Sequence, residues 1–106
     1  MIIPCGIDQE NESKKFDEIL MAVSTKFGIS REDILSEKRK KDIAMARHIC
    51  VYIAREITSL SQTQIAKILN RDRSTLVSSE KTVKEEMAVN SDFAFDINEI
   101  IRELNR

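Results

Sequence analysis

The stretch "SQTQIAKILNRDRSTLVSSEK", residues 61–81, decides how the chain is read. It holds two short helical patterns almost back to back, with only Asn70, Arg71 and Asp72 between them. In the first, Ser61 and Gln64 stand at capping-box spacing, and Ile65, Ile68 and Leu69 fall on one side of a helix of about eight residues. Asp72 can cap the second, over about Arg73 to Met87, with Leu76, Val83 and Met87 as its inner positions. A short capped helix, a tight turn and a second helix opening on Arg73, Ser74 and Thr75 match the grammar of a helix-turn-helix. In that motif the first residues of the second helix lie in the major groove of DNA and contact base edges. This gives the polar opening a purpose outside the core. Arg73 can donate twice to guanine, and Ser74 and Thr75 can donate or accept. Asp72 can accept from cytosine as well as cap, and the free amides near Ser61 to Thr63 suit a phosphate.

The surrounding sequence is helical in character. Within 106 residues there are only two Gly and one Pro, and aromatics make up 5%, which disfavours a strand-rich sandwich or barrel. Residues 1–11 hold the Pro and one Gly without periodicity and are expected to be a flexible leader, with one domain over 12–106. Phe16, Ile19, Leu20, Val23 and Phe27 predict a first helix from about Ser13, closed by Gly28. Ser30 with Asp33 opens a short helix expected to turn Ile34 and Leu35 inward. Residues 36–42, "SEKRKKD", have no apolar side chain and read as a basic loop or a frayed helix start. A long helix follows over about Asp42 to Thr58, with Ile43, Cys50, Ile53 and Ile57 inward and Ala46, Ile49 and Ala54 beside them. Ser91 is the expected cap of a last helix whose stripe is Phe93, Ile97, Ile100, Ile101 and Leu104. The fold class is therefore all-α, with five to six helices.

Charge separates the middle from the ends. Between Lys38 and Lys81 ten basic residues face four acidic ones, a local charge of +6, whereas the whole chain carries −1. A basic centre on an acidic body suits a polyanion partner. Enzyme chemistry is poorly supplied: there is no glycine-rich phosphate loop, and the single His48 has no neighbouring nucleophile. No catalytic residue, metal site, cofactor or bound nucleotide is expected. Cys5 and Cys50 are far apart and lack metal-ligand spacing. No apolar run is long enough to span a membrane, and a cytoplasmic location is the expectation.

Taken together, "ISREDILSEKRKKDIAMARHICVYIARE" and "TSLSQTQIAKILNRDRSTLVSSEKTV" closely resemble the C-terminal DNA-binding domain (domain IV) of the DnaA family of bacterial replication initiators. The family pattern of "xxLLSxxR", a basic loop, "YLARELT", "SLxxIG" and "GRDHSTV" finds counterparts in Asp33–Arg39, Arg47 with Tyr52–Thr58, Ser61–Ile65 and Arg71–Leu76. The resemblance implies a Trp-repressor-like helix-turn-helix, probing double-stranded DNA at DnaA-box-like sites. With no dimerisation heptad visible and the basic loop as a second groove contact, a monomer on DNA is expected. The resemblance also implies that Arg39 enters the minor groove, that Arg47 and His48 lie at or near bases, and that Asp72, Arg73, Ser74 and Thr75 read the major groove. Lys38, Lys41, Arg55, Thr58, Ser61, Gln62 and Arg71 would hold phosphates.

Three departures bear on which site is preferred. Arg73 replaces the family's His, Asn70 alone replaces a glycine pair, and Met45, Ala46 and Arg47 replace an "RPR"-like step. The chain also lacks the initiator's ATPase module, so an excised domain and a free-standing phage or mobile-element regulator are both open. A helical protein-interaction module without DNA binding is the other class to be weighed.

Overall fold

Six helices are present in the computed structural model: α1 (Cys5–Phe27), α2 (Arg31–Leu35), α3 (Lys41–Ile57), α4 (Gln62–Leu69), α5 (Arg73–Val89) and α6 (Ser91–Leu104). The structure describes residues 5–38, 40–69, 71 and 73–105, with backbone alone for 5–13 and 73. Arg39, Asn70 and Asp72 lie outside the described residues, and so does the expected capping role of Asp72. There is no strand among the described residues, and the fold is all-α as the sequence predicts.

Helix α3 is the axis, packing against each of the other five. Its apolar residues wrap far enough around the helix to serve several neighbours at once, and Ala46, Ile49, Cys50, Val51, Ile53 and Ala54 are all buried. Phe16, Ile19, Leu20 and Val23 of α1 close one side of this core. Leu76 and Val83 of α5, with Ile97 and Ile100 of α6, close the other. Cys50 is a free cysteine with no exposed surface, and burial pushes its thiol up to about 12. Among the described residues no helix is long and apolar enough to cross a membrane.

Local chemistry fixes most helix ends. Gly28 has φ +68°, the left-handed conformation that costs glycine no steric clash, and its N–H donates to Ser24 O at 2.9 Å to end α1. Ser30 Oγ accepts from Asp33 N at 3.1 Å at the start of α2. At α4 both halves of the capping box form: Gln64 N donates to Ser61 Oγ at 3.2 Å, and Ser61 N donates to Gln64 Oε1 at 2.9 Å.

Helix α1 begins at Cys5, within the stretch read as a leader. Three expectations are corrected. Leu35 is partly exposed, because it follows Ile34 by about 100° of rotation and a five-residue helix buries only one of the two. Ile68 is likewise turned out, since Ile65 and Leu69, one turn apart, already form the inner stripe of α4. Finally, Asn90 rather than Ser91 caps α6: its backbone is extended and its side chain accepts from Phe93 N at 3.1 Å. Two adjacent residues can both cap, and the one outside the first helical turn does so.

Candidate nucleic-acid interface

The face of α5 turned away from the core is polar at its N-terminal end. Leu76, Ser79 and Val83 point inward, leaving Ser74, Thr75, Val77, Ser78 and Lys81 exposed. Arg73 is the first residue of the helix. Ser74 and Thr75 therefore stand where the sequence places them, free for an external partner. Val77 is 53% exposed, an apolar side chain on an otherwise polar face that the sequence reading passed over. Its signal was available in the alternation around Leu76: the residue after a buried position on a helix is turned about 100° away from it.

Helix α4 lies across α5, and the turn between them is tied down by Arg71, whose N–H donates to Ala66 O at 2.9 Å. At the α4 N-terminus, the amides of Gln62 and Thr63 have no carbonyl partner within the helix and are suited to an anion. Ser61 Oγ keeps its hydroxyl proton for an external acceptor after accepting from Gln64 N. Thr58 does not: its hydroxyl donates to Ala54 O at 2.6 Å and accepts from Leu60 N at 3.2 Å, so its role is to close α3. Gln62 and Arg55, expected on phosphates, converge instead on a carboxylate. Gln62 Nε2 donates to Glu80 Oε2 at 2.9 Å, Arg55 Nε lies 3.7 Å from the same oxygen, and Arg55 Nη1 donates to Leu60 O at 3.2 Å.

Arg47, expected at or near bases, is only 8% exposed, and its guanidinium points to the basic loop. Arg47 Nε donates to Ile34 O at 2.8 Å and Nη2 donates to Ser36 O at 2.7 Å. Longer contacts reach Lys38 O at 3.3 Å and Asp33 O at 3.4 Å. These carbonyls lie at and beyond the C-terminal end of α2, where a helix leaves its acceptors unpaired and a cation is favoured. Arg71, expected on phosphate, also donates to Ser36 O. Burial and the neighbouring Arg71 charge both hold the Arg47 pKa below its ordinary value. Of the loop lysines, Lys38 pairs with Asp33 at 2.8 Å, which raises the lysine and lowers the carboxyl, while Lys40 and Lys41 are exposed.

His48 is also drawn inward. Its Nδ1 lies 2.6 Å from Ser79 Oγ, and Ser79 Oγ donates to Thr75 O at 3.0 Å. With the Ser79 proton on that carbonyl the neutral imidazole donates from Nδ1; with the proton turned to Nδ1 the ring accepts. Burial first, and then the Arg47 charge, lower the His48 pKa. In the unfolded chain His48 binds a proton more readily than in the folded one. Stability is therefore fully present above pH ~6.5 and falls as pH drops through the histidine range. Urea midpoints at acidic and neutral pH check this: the wild type should be weaker on the acid side, and His48→Gln should lose most of that difference.

Among the described residues no cluster of three or more His, Cys, Asp or Glu side chains is placed to hold a metal ion. What the geometry offers is a polar helix end, a basic loop fastened beside it, and a helix capped by Ser61 and Gln64.

Comparison with known proteins agrees with this arrangement. The family described as bacterial DnaA protein helix-turn-helix matches residues 16–83, from the first core residue of α1 to Val83 of α5. The chromosomal replication initiator protein DnaA of Bacteroides thetaiotaomicron is 30% identical over 95 residues, covering 89% of this chain and 20% of that protein. That of Lachnoclostridium phytofermentans is 36% identical over 90 residues, covering 84% of this chain and again 20% of the relative. The chain thus spans about a fifth of the length of these relatives. A crystal structure of a DNA replication initiation factor superposes with a TM-score of 0.74 at 28% identity, over 92% of this chain and 31% of that one. With the family pattern running through five of its six helices, the chain belongs to the bacterial DnaA helix-turn-helix family.

Proposed function

We propose that the chain binds double-stranded DNA as a monomer, recognising DnaA-box-like sites in replication initiation or its regulation. The N-terminal end of α5 enters the major groove, and the basic loop reaches the minor groove through Arg39. The observation that carries this reading is the exposed α5 face of Ser74, Thr75, Val77, Ser78 and Lys81 beside a loop of lysines. Asp72, Arg73, Ser74 and Thr75 read base edges, and Val77 suits a thymine methyl. Lys41, Ser61 and the first amides of α4 hold phosphates and set register. Arg47, His48 and Thr58 act from within the fold, and Arg55 and Gln62 reach a phosphate only by leaving Glu80. The function is binding, with no catalytic residue or cofactor assigned to the chain.

Selection of duplexes from a randomised library at fixed salt tests the assignment. Arg73→Ala should relax preference at one base pair, because a bidentate arginine–guanine contact discriminates by about 1–3 kcal/mol. Arg73→His should shift the selected site towards that of the histidine-bearing relatives. Lys41→Ala should lower affinity almost evenly and reduce the salt slope by about one unit. If Arg73→Ala only lowers affinity and leaves the selected motif intact, Arg73 contacts phosphate and the base-reading role fails.

A further inference from the structure

We propose that Arg47 and Arg71 are positioning residues that clamp the basic loop at the Ser36 carbonyl, joining the loop and the turn before α5 into one unit. Three elements meet at this oxygen. Arg47 reaches it from the buried face of α3, Arg71 from the helix-helix turn, and Ser36 itself caps the end of α2. Arg47 also takes up Ile34 O, so a single planar side chain spans the last turn of α2 and the first residue of the loop. A guanidinium suits this task because its N–H groups form a rigid fork, whereas an ammonium is a point charge that cannot hold two separated carbonyls in fixed directions. Hydrogen bonds from a charged donor to carbonyls shielded from water are also stronger than neutral ones.

The electrostatics let an outside anion strengthen the arrangement. Two cations converge on one oxygen, and among the described residues neither has a carboxylate within 4.0 Å. Among the described residues, backbone carbonyl dipoles offset their repulsion. A nearby phosphate backbone adds the missing negative charge, so loop order and polyanion binding reinforce each other. The loop's distance from the recognition helix is then set by the protein before DNA arrives, and the two groove contacts are made together. This coupling rests on the DNA-binding reading; the clamp in the free protein does not.

Amide hydrogen exchange of the free chain therefore tests the clamp first. Ser36 N donates to Asp33 O at 3.1 Å and Lys38 N to Ser36 Oγ at 3.2 Å, and both amides report on the loop. Arg47→Lys should speed their exchange by about tenfold or more, the loss of one charge-assisted hydrogen bond, while Ile97 and Ile100 in α6 exchange as in the wild type. Arg71→Lys should act in the same direction, and it decides the matter if Arg47→Lys does not fold. Unchanged exchange at Ser36 and Lys38 in a folded variant overturns the clamp. Duplex titrations then test the coupling: Arg47→Lys and Arg39→Ala should each weaken binding, and the double variant should fall within about twofold of the weaker single one. Losses that multiply instead mean that Arg47 touches DNA on its own account, and the coupling is wrong. A wild-type chain that binds no duplex at low salt removes the DNA-binding reading and leaves the clamp to the exchange result.

Discussion

Ile53→Ala is expected to destabilise the fold by about 2–5 kcal/mol, the cost of deleting a buried isoleucine and leaving a partly unrelaxed cavity. Ile53 has no exposed surface and sits near the middle of α3, the helix that every other helix packs against. A cavity there cannot be filled by moving one neighbour, since the surrounding helices are held by their own contacts with α3. Against a total stability of about 5–15 kcal/mol for a domain, such a loss brings the chain close to its unfolding threshold. Ile53→Val removes one methylene and should cost about 0.5–1.5 kcal/mol. Val77→Ala, at a half-exposed site on α5, should stay within about 0.5 kcal/mol of the wild type. Urea unfolding with an unchanged slope checks all three, and a loss below about 1 kcal/mol for Ile53→Ala, close to the cost of a single methylene, contradicts the packing described for α3.

The second large effect is on binding. If six phosphates are neutralised, the logarithm of duplex affinity should fall with the logarithm of salt at a slope near about −5. Raising monovalent salt from about 50 to 200 mM then costs on the order of a thousandfold in affinity. The net charge of the whole chain, −1, gives no hint of this, because the opposing acids lie largely outside the segment from Lys38 to Lys81. The Glu80 carboxylate is shared by Gln62 and Arg55, and its negative charge on the α4 side would oppose a phosphate there. Glu80→Gln should therefore raise affinity for duplexes of any sequence while leaving the selected motif as it was. Fluorescence anisotropy across a salt series measures both, and a slope shallower than about −2 would mean that phosphates are not the main partners.

What was legible in the sequence was whatever depends on near neighbours. The box of Ser61 and Gln64, the Ser30 cap and the Gly28 stop each join groups a few residues apart, and each forms as read. The apolar stripes of α1, α3 and α6 were legible for the same reason: periodicity carries the orientation of a face. Errors arose where two adjacent residues compete for one role, as with Ile34 and Leu35 or Asn90 and Ser91. The site was harder, because long polar side chains reach across elements. Arg47 bonds to carbonyls 9–14 residues earlier in the chain, and His48 meets Ser79 31 residues later. A pattern of residue types shows that a cation occupies α3 there. Which acceptors it faces depends on where α2 and its loop come to rest, and that is a property of the packed molecule.

The position of Cys50 turns the core into its own timepiece. The thiol has no exposed surface, and at neutral pH almost none of it is in the reactive thiolate form while the fold is closed. A water-borne alkylating reagent reaches it only when α3 parts from its neighbours, so in a Cys5→Ser chain the labelling rate counts those openings without any denaturant. DNA bound to the far side of α5 would slow that count through the energetic link between ligand and fold, although it touches nothing near the sulfur.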